Sequence, residues 1–327
     1  MTGRDYEIIR VGQRVFEHEV MIYGGQLCDR QPLLILHSIE FAVPPSQSFC
    51  ETLWKNGLQV IFIRRSGYGR SSPMPQVLLS KRNIVNGSTA AAEAVMVQKL
   101  IETLGLENVI LMAIGSSNPM VYRLVQFSPQ IQFTFFVNSM FNQEVWNVFT
   151  PVWFRKMLRQ IVTSKSGLQV AFKGLKLLIQ RDPIAFYNHI FSKNQADLDY
   201  VSANAEDYRV AGEICLGVSA NQLFYDTTMC LGHDAMLKDN FFESTSGAVL
   251  IGRESSDLWQ AQMVRESQRV RLPLIYSPTG DLLCAYTSPD LVMETIAAAA
   301  RSPEKADQMG RLPKLSLQPD NSRFGSS

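Results

Sequence analysis

The chain has 327 residues, 46% hydrophobic and 19% charged, with 31 basic and 30 acidic side chains for a formal net charge of +1. That length suffices for one large domain with an insertion, the apolar content excludes a disordered chain, and the near-neutral charge argues against nucleic acid as a partner. No run approaches the roughly eighteen apolar residues of a membrane span, and the N-terminal MTGRDYEIIR lacks the apolar core of a signal peptide. The cysteines Cys28, Cys50, Cys215, Cys230 and Cys284 are scattered and form no C-x-x-C pair, which predicts reduced thiols in a cytoplasmic protein. Neither a cofactor nor a metal is expected.

In chain order, Glu7 to Val11 and Val15 to Tyr23 predict two strands joined at Gly12-Gln13, with His18 at a surface or edge position. Pro32 to His37 and Gln59 to Ile63 are short, continuous apolar runs, the kind found inside a parallel sheet covered on both faces. A helix over Phe49 to Lys55, stopped at Gly57, separates them. Thr89 to Leu104 has amphipathic periodicity and ends at Gly105. Val109 to Ile114 is the next buried strand. It turns through Gly115-Ser116-Ser117-Asn118 into a helix whose first turn accepts Pro119 and whose apolar positions are Met120, Val121, Leu124 and Val125. Phe133 to Val137 is a further strand. From Met140 to about Asn240 strand signals vanish and aromatic-rich helical stretches take over. Gly247 to Gly252 returns to a strand, followed by a helix over Gln260 to Gln268, a strand from Pro273 to Ser277 and a helix over Asp290 to Ala300. Residues 301–327 are polar, contain Pro303, Pro313 and Pro319, and read as a disordered tail. The alternation of strands and helices predicts an α/β architecture with a doubly wound, mostly parallel sheet.

Three segments resemble the α/β-hydrolase family: the strand, turn and helix around Gly115; RRSGYGRSSP at 64–73, with Gly67, Gly69 and Ser71; and IYSPTGDLLCAYTSPDLVMETI near the end. The resemblance implies an α/β-hydrolase core over 1–139 and 244–300, a helical cap over 140–243 and a tail from 301 to 327. It also implies where catalytic groups belong: a serine on the elbow turn, an acid after a late strand and a histidine after the last strand. The histidine takes the proton of the serine and the acid orients the histidine. Laid without gaps, the elbow puts Gly115 at the serine position and keeps Gly105 and Pro129 at the family's anchors. A shift of two residues makes Ser117 the nucleophile in G-x-S-x-P. Asp257 matches the acid, with Glu254 a weaker candidate. Gly280 matches the glycine before the closing histidine, so Asp281 stands at the histidine position. A rival register places Arg311 there and Asp281 at the acid, but leaves no terminal helix. All four histidines, His18, His37, His189 and His233, precede residue 234. Arg64-Arg65 replaces the family's usual acidic residue and its neighbour, for no reason visible in the sequence.

Glycine has no side chain to acylate, and an aspartate beside another carboxylate cannot act as a neutral imidazole base. The expectation is therefore a catalytically degenerate member, or pseudoenzyme. It would bind a small carbonyl-containing or anionic ligand, or a protein partner, under the cap. The implied binding residues are His37, Ser38, Gly115, Ser116, Asp257 and Asp281. The Ser116 N–H would survive as half of an oxyanion hole, and His37-Ser38 resembles the H-G pair leading to the other half. Asp257 facing Asp281 would raise one carboxyl pKa and offer acid/base chemistry of its own. Plant hormone receptors of this fold and the N-myc downstream-regulated family are precedents for a non-catalytic role, although fold does not fix function. One rival is an esterase-like hydrolase of carboxylic esters using Ser116 or Ser117 with a histidine from the cap. The other is a peripheral membrane protein using residues 145–181, which hold seven Lys or Arg and no acid.

Overall fold

The computed structural model describes residues 6–13, 16–39, 41–139, 152–229 and 246–301. Strands β1 (Tyr6–Gln13), β2 (Phe16–Tyr23), β3 (Gln31–Leu36), β4 (Leu58–Ile63), β5 (Val109–Ile114), β6 (Ile131–Val137), β7 (Gly247–Gly252) and β8 (Leu274–Ser277) form one sheet in the order β1-β2-β4-β3-β5-β6-β7-β8. The pairs β1–β2 and β2–β4 are antiparallel, and β4–β3, β3–β5, β5–β6, β6–β7 and β7–β8 are parallel. LQVIFI, VILMAI and GAVLIG are buried at every position, so these strands need cover on both faces rather than alternation.

The cover comes from α1 (Gln47–Lys55), α2 (Lys81–Val85), α3 (Ser88–Thr103), α4 (Asn118–Leu124), α11 (Asp257–Val270) and α12 (Pro289–Arg301). Between β6 and β7, among the described residues, stand six more helices: α5 (Val152–Thr163), α6 (Lys165–Arg181), α7 (Pro183–Ile190), α8 (Gln195–Ala203), α9 (Ala205–Gly217) and α10 (Ala220–Met229). One buried cluster joins Ala90, Ile101 and Val121 to Phe172 and Tyr225 of this inserted set. A second joins Phe49 and Val292 to Tyr187 and Tyr208. The inserted helices thus share both apolar cores of the sheet.

The approach to β5 is fixed locally. Gly105 has φ +62, and the Leu106 N–H donates to the Ile101 carbonyl at 3.0 Å, which closes α3 in the manner of a left-handed glycine cap.

Several expectations need correction. Gly12 and Gln13 do not form the first turn; they pair with Glu17 and Phe16 inside the hairpin ladder. His18 is neither at the surface nor at an edge, because β2 is flanked on both sides and His18 is only 2% exposed. The elbow helix α4 ends at Leu124, so Pro129 lies in the connection to β6 rather than at the helix end. Helix α8, which was not singled out from the sequence, starts where the Asn194 side chain accepts the Asp197 N–H at 3.0 Å as an N-cap. The residues at the predicted cap boundaries, 140 and 243, and the tail from 302 onward lie outside the described residues. Among the described residues no helix is long and apolar enough to cross a membrane.

Candidate functional site

The C-terminal ends of β3, β4, β5, β7 and β8 converge on one side of the sheet, the place where open parallel sheets form their crevices. At the centre, β5 passes through a single 3-10 turn, Gly115–Ser117, into α4. Gly115 has φ +50, a left-handed conformation that costs a side-chain-bearing residue about 1–2 kcal/mol. Ser117 is ordinary helical backbone at φ −80. The position of the turn that only glycine adopts without strain is therefore Gly115.

The two serines after it are committed to the fold. The Ser117 hydroxyl accepts the Ile114 N–H at 2.8 Å and lies 3.0 Å from both the Leu36 and the Ile114 carbonyl oxygens, fully buried. The Ser116 hydroxyl accepts the Ile39 N–H at 2.7 Å and one Arg65 N–H at 3.2 Å. The expectation of a free oxyanion-hole donor at Ser116 is corrected here, because its N–H already donates to the Ser38 hydroxyl at 3.3 Å. The two backbone donors of the bend, from Ile39 and Ser116, are thus each taken by a serine hydroxyl.

His37 has no base function left either. Its Nδ1 lies 2.7 Å from the Ser38 carbonyl and its Nε2 accepts the Arg65 N–H at 3.0 Å, which fixes the tautomer. Burial, and next the Arg65 charge, push its pKa down to about 3, so the ring is neutral.

Arg65 explains the basic pair that the sequence left unaccounted for. Its guanidinium is 1% exposed and reaches the Glu93 carboxylate of α3 with two N–H groups at 3.2 and 3.1 Å. It also reaches Asp226 of α10 at 2.7 Å. Tyr68 donates to Asp226 at 2.7 Å, Gln222 donates to Asp226 at 3.3 Å, and Tyr225 donates to Glu93 at 2.6 Å. One cation facing two carboxylates leaves the cluster with a surplus negative charge. Burial, ahead of the opposing pull of Arg65, raises the Asp226 pKa. Arg64 pairs with Glu19 of β2, and Glu19 also accepts the Arg70 N–H at 2.7 Å. One signal for this network was available. Glu93 occupies the apolar stripe of α3 between Ala90, Ala94 and Val97, and a buried charge requires a partner.

The late loop is organised by a residue from the inserted helices. Asp197 of α8 accepts the N–H groups of Asp281 (3.1 Å), Leu282 (2.8 Å) and Leu283 (3.3 Å). Burial, partly offset by these bonds and reinforced by the Asp281 charge, raises its pKa to about 6. Glu254 accepts from the Asn194 side chain at 2.7 Å and from the Gly280 N–H at 3.2 Å. The Ser255 hydroxyl donates to the Asp281 carboxylate. Gly252 ends β7 directly beneath this loop: a Cβ there would lie 1.9 Å from the Gly280 carbonyl oxygen.

The expected facing of Asp257 and Asp281 is therefore corrected. Asp257 is exposed in the first turn of α11, which Ser256 N-caps, and the carboxylate that the Asp281 charge acts on is Asp197, which also accepts the Asp281 N–H. Of the predicted site residues, the structure brings together His37, Ser38, Gly115 and Ser116. Asp281 belongs to a second cluster with Asp197, Glu254 and Ser255. His189 is exposed on α7, and His233 and Arg311 lie outside the described residues.

The amino-acid sequence matches no protein-family model and no curated protein. Solved structures do match. A bromoperoxidase from Bacillus anthracis is similar at 14% identity, with 91% of this chain and 100% of that one covered and a TM-score of 0.57. A 2-hydroxy-6-oxo-6-phenylhexa-2,4-dienoate hydrolase from a Rhodococcus strain is similar at 12% identity, covering 91% and 100% of the two chains with a TM-score of 0.61. An α/β hydrolase from a Medee basin deep-sea metagenome is similar at 13% identity over 90% and 98%, with a TM-score of 0.55. At such identities the likeness is one of fold.

Proposed function

We propose that this chain, which has the α/β-hydrolase fold, is a non-catalytic member of that fold that acts by binding. Its ligand is a small carbonyl-containing or anionic molecule, or a protein partner, received at the C-terminal side of the sheet beneath the inserted helices. The observation that carries the proposal is the commitment of the elbow's polar groups. Gly115 has no side chain, the Ser116 and Ser117 hydroxyls are buried in internal hydrogen bonds, and both ring nitrogens of His37 are engaged. A nucleophile needs an adjacent base within hydrogen-bond reach. Among the described residues the partners of the Ser116 hydroxyl are the Ile39 N–H and Arg65, and neither can take a proton.

A ligand oxygen reaches the Ser116 N–H only by turning the Ser38 hydroxyl aside. Exchanging one neutral acceptor for another gains little, whereas an anionic acceptor makes a bond about twice as strong. That gain is opposed by the surplus negative charge of the Arg65, Glu93 and Asp226 cluster beside Ser116, so the carbonyl-containing and the anionic ligand both stay within the proposal.

Hydrolysis of p-nitrophenyl esters by the wild-type chain, Ser116→Ala and Ser117→Ala tests the proposal. Turnover at background in all three is expected. Serine-dependent turnover well above background would overturn the non-catalytic reading and establish the esterase.

A further inference from the structure

Helices α5 and α6 form an exposed surface that the sheet-side chemistry does not use. On α6, Leu168, Phe172 and Ile179 point inward and are buried. The opposite face carries Val170, Lys173, Leu177 and Arg181, all exposed, with Val170 at 72% and Leu177 at 66%. Leu178 beside them is 59% exposed. On α5 the exposed positions include Trp153, Lys156 and Met157. Large aliphatic and aromatic side chains thus alternate with long basic ones on the outside of two adjacent, mutually packed helices.

Charge decides between the occupants of such a face. Residues 145–181 contain seven Lys or Arg and no acid, whereas the rest of the chain holds 24 basic and 30 acidic side chains, a net charge of −6. One of the seven is diverted: Lys176 donates to the Leu216 carbonyl near the end of α9 and lies over the Phe172 ring, so it serves packing. Lys156, Lys173 and Arg181 point outward, and among the described residues none of them enters an ion pair. An ordinary solvated helix face carries both signs of charge and few aliphatics. A uniformly basic face with aliphatics between the bases instead matches a two-layered partner: an anionic headgroup layer for the ammonium and guanidinium groups, and an apolar layer just below for Val170 and Leu177. Lysine and arginine stems lie along apolar surface while their heads stay in the wet layer.

We propose that the outward face of α5 and α6 docks the protein on the surface of an anionic lipid bilayer, peripherally and without crossing it. The basic side chains supply attraction to the anionic headgroups, and the aliphatics enter the headgroup–acyl boundary. Binding through this face is independent of whether the elbow is catalytic.

Vesicle flotation of the full chain tests it, with phosphatidylcholine vesicles prepared with and without phosphatidylserine. Flotation is expected only with phosphatidylserine present, and should be largely lost as salt is raised to about 0.5 M, where the Debye length falls below about 5 Å. Lys173→Gln/Arg181→Gln should weaken binding about fivefold per charge removed, on the order of 25-fold together. Val170→Ser/Leu177→Ser should weaken it as well, because the apolar contact is lost at unchanged charge. All four positions are exposed, and an unchanged thermal melt shows that the variants remain folded. Absence of flotation, equal flotation on neutral vesicles, or indifference to the aliphatic pair overturns the proposal. Competition by soluble polyglutamate as effective as by anionic vesicles would assign the face to an acidic protein instead, and also overturns it.

Discussion

Replacing Arg65 by leucine isolates the energetic weight of the buried cluster beside the elbow. The substitution leaves a shorter, apolar side chain and deletes the only cation among Arg65, Glu93 and Asp226. It removes two hydrogen bonds to Glu93, one to Asp226 and one to the Ser116 hydroxyl. Summing four charge-assisted bonds at about 1.5–3 kcal/mol each would overshoot, because the abandoned carboxylates relax by taking up protons. The cost of breaking a buried ion pair by removing one partner is about 3–5 kcal/mol. Asp226→Asn works in the opposite sense. It removes the surplus negative charge and keeps an oxygen for Tyr68 and Gln222 to donate to, but turns an amide NH2 toward the Arg65 N–H that the other oxygen accepted, so with Glu93 still holding Arg65 it should cost about 1–2 kcal/mol. In urea unfolding with a slope of about 3 kcal/mol per molar, Arg65→Leu should lower the midpoint by about 1–1.7 M and Asp226→Asn by about 0.3–0.7 M. Equal midpoints for the two variants, or a midpoint for Arg65→Leu within about 0.3 M of wild type, would refute the reasoning.

Asp197 gives a pH-dependent test. Its carboxyl titrates at about 6 in the folded chain against 3.8 unfolded, so the folded state holds the extra proton between those values and stability from this group rises as pH falls through 6. The stability of wild type relative to Asp197→Asn should therefore be about 2 kcal/mol more favourable at about pH 4.5 than at pH 7, and a difference independent of pH would exclude it. Gly252→Ala places a Cβ 1.9 Å from the Gly280 carbonyl and should cost more than about 4 kcal/mol, so soluble protein with an unchanged melting temperature would contradict the packing of β7 under the late loop. Gly115→Ser adds a hydroxyl at φ +50 and should destabilise by about 1–2 kcal/mol without creating p-nitrophenyl ester turnover, because the neighbouring imidazole among the described residues, His37, has both ring nitrogens engaged; turnover would reveal a base that the geometry does not.

What could be read in advance follows from how far each signal reaches along the chain. The runs at Val109–Ile114 and Gly247–Gly252 are apolar at every position, which already implies two covered faces, and both strands have the bounds read from sequence. The elbow was legible because strand, glycine and Pro119 lie within a dozen residues. Arg65 was opaque because Glu93 and Asp226, 28 and 161 positions away, come from two different helices. Asp257 was chosen by order along the chain, yet the direction of an acid in that loop is set by where α11 begins. The Ser256 side chain accepts the Trp259 N–H as the N-cap, which leaves Asp257 in the exposed first turn, where its charge suits the helix dipole. Glu254, three residues earlier, is the one that turns to Asn194 and Gly280.

Buried backbone donors must have acceptors, and this requirement gives the bend around Ser38 its meaning. In a site built to stabilise a developing oxyanion, the donors wait for an oxygen that arrives with the substrate. Here the Ile39 and Ser116 N–H groups already have acceptors within the chain, and both acceptors are serine hydroxyls. On the reading proposed above, the Ser38 hydroxyl occupies the Ser116 N–H to which a ligand oxygen would bind. Arg65 holds the other hydroxyl in place and is itself held by Glu93 and Asp226, so the closed arrangement extends from the elbow into α3 and α10. Opening it for catalysis would require a new nucleophile at Gly115, a base beside it and release of Ser38, three changes that no single rotamer supplies. Binding requires only the last. On the reading proposed above, that asymmetry is why the polar groups around the elbow suit recognition of a ligand and do not suit hydrolysis.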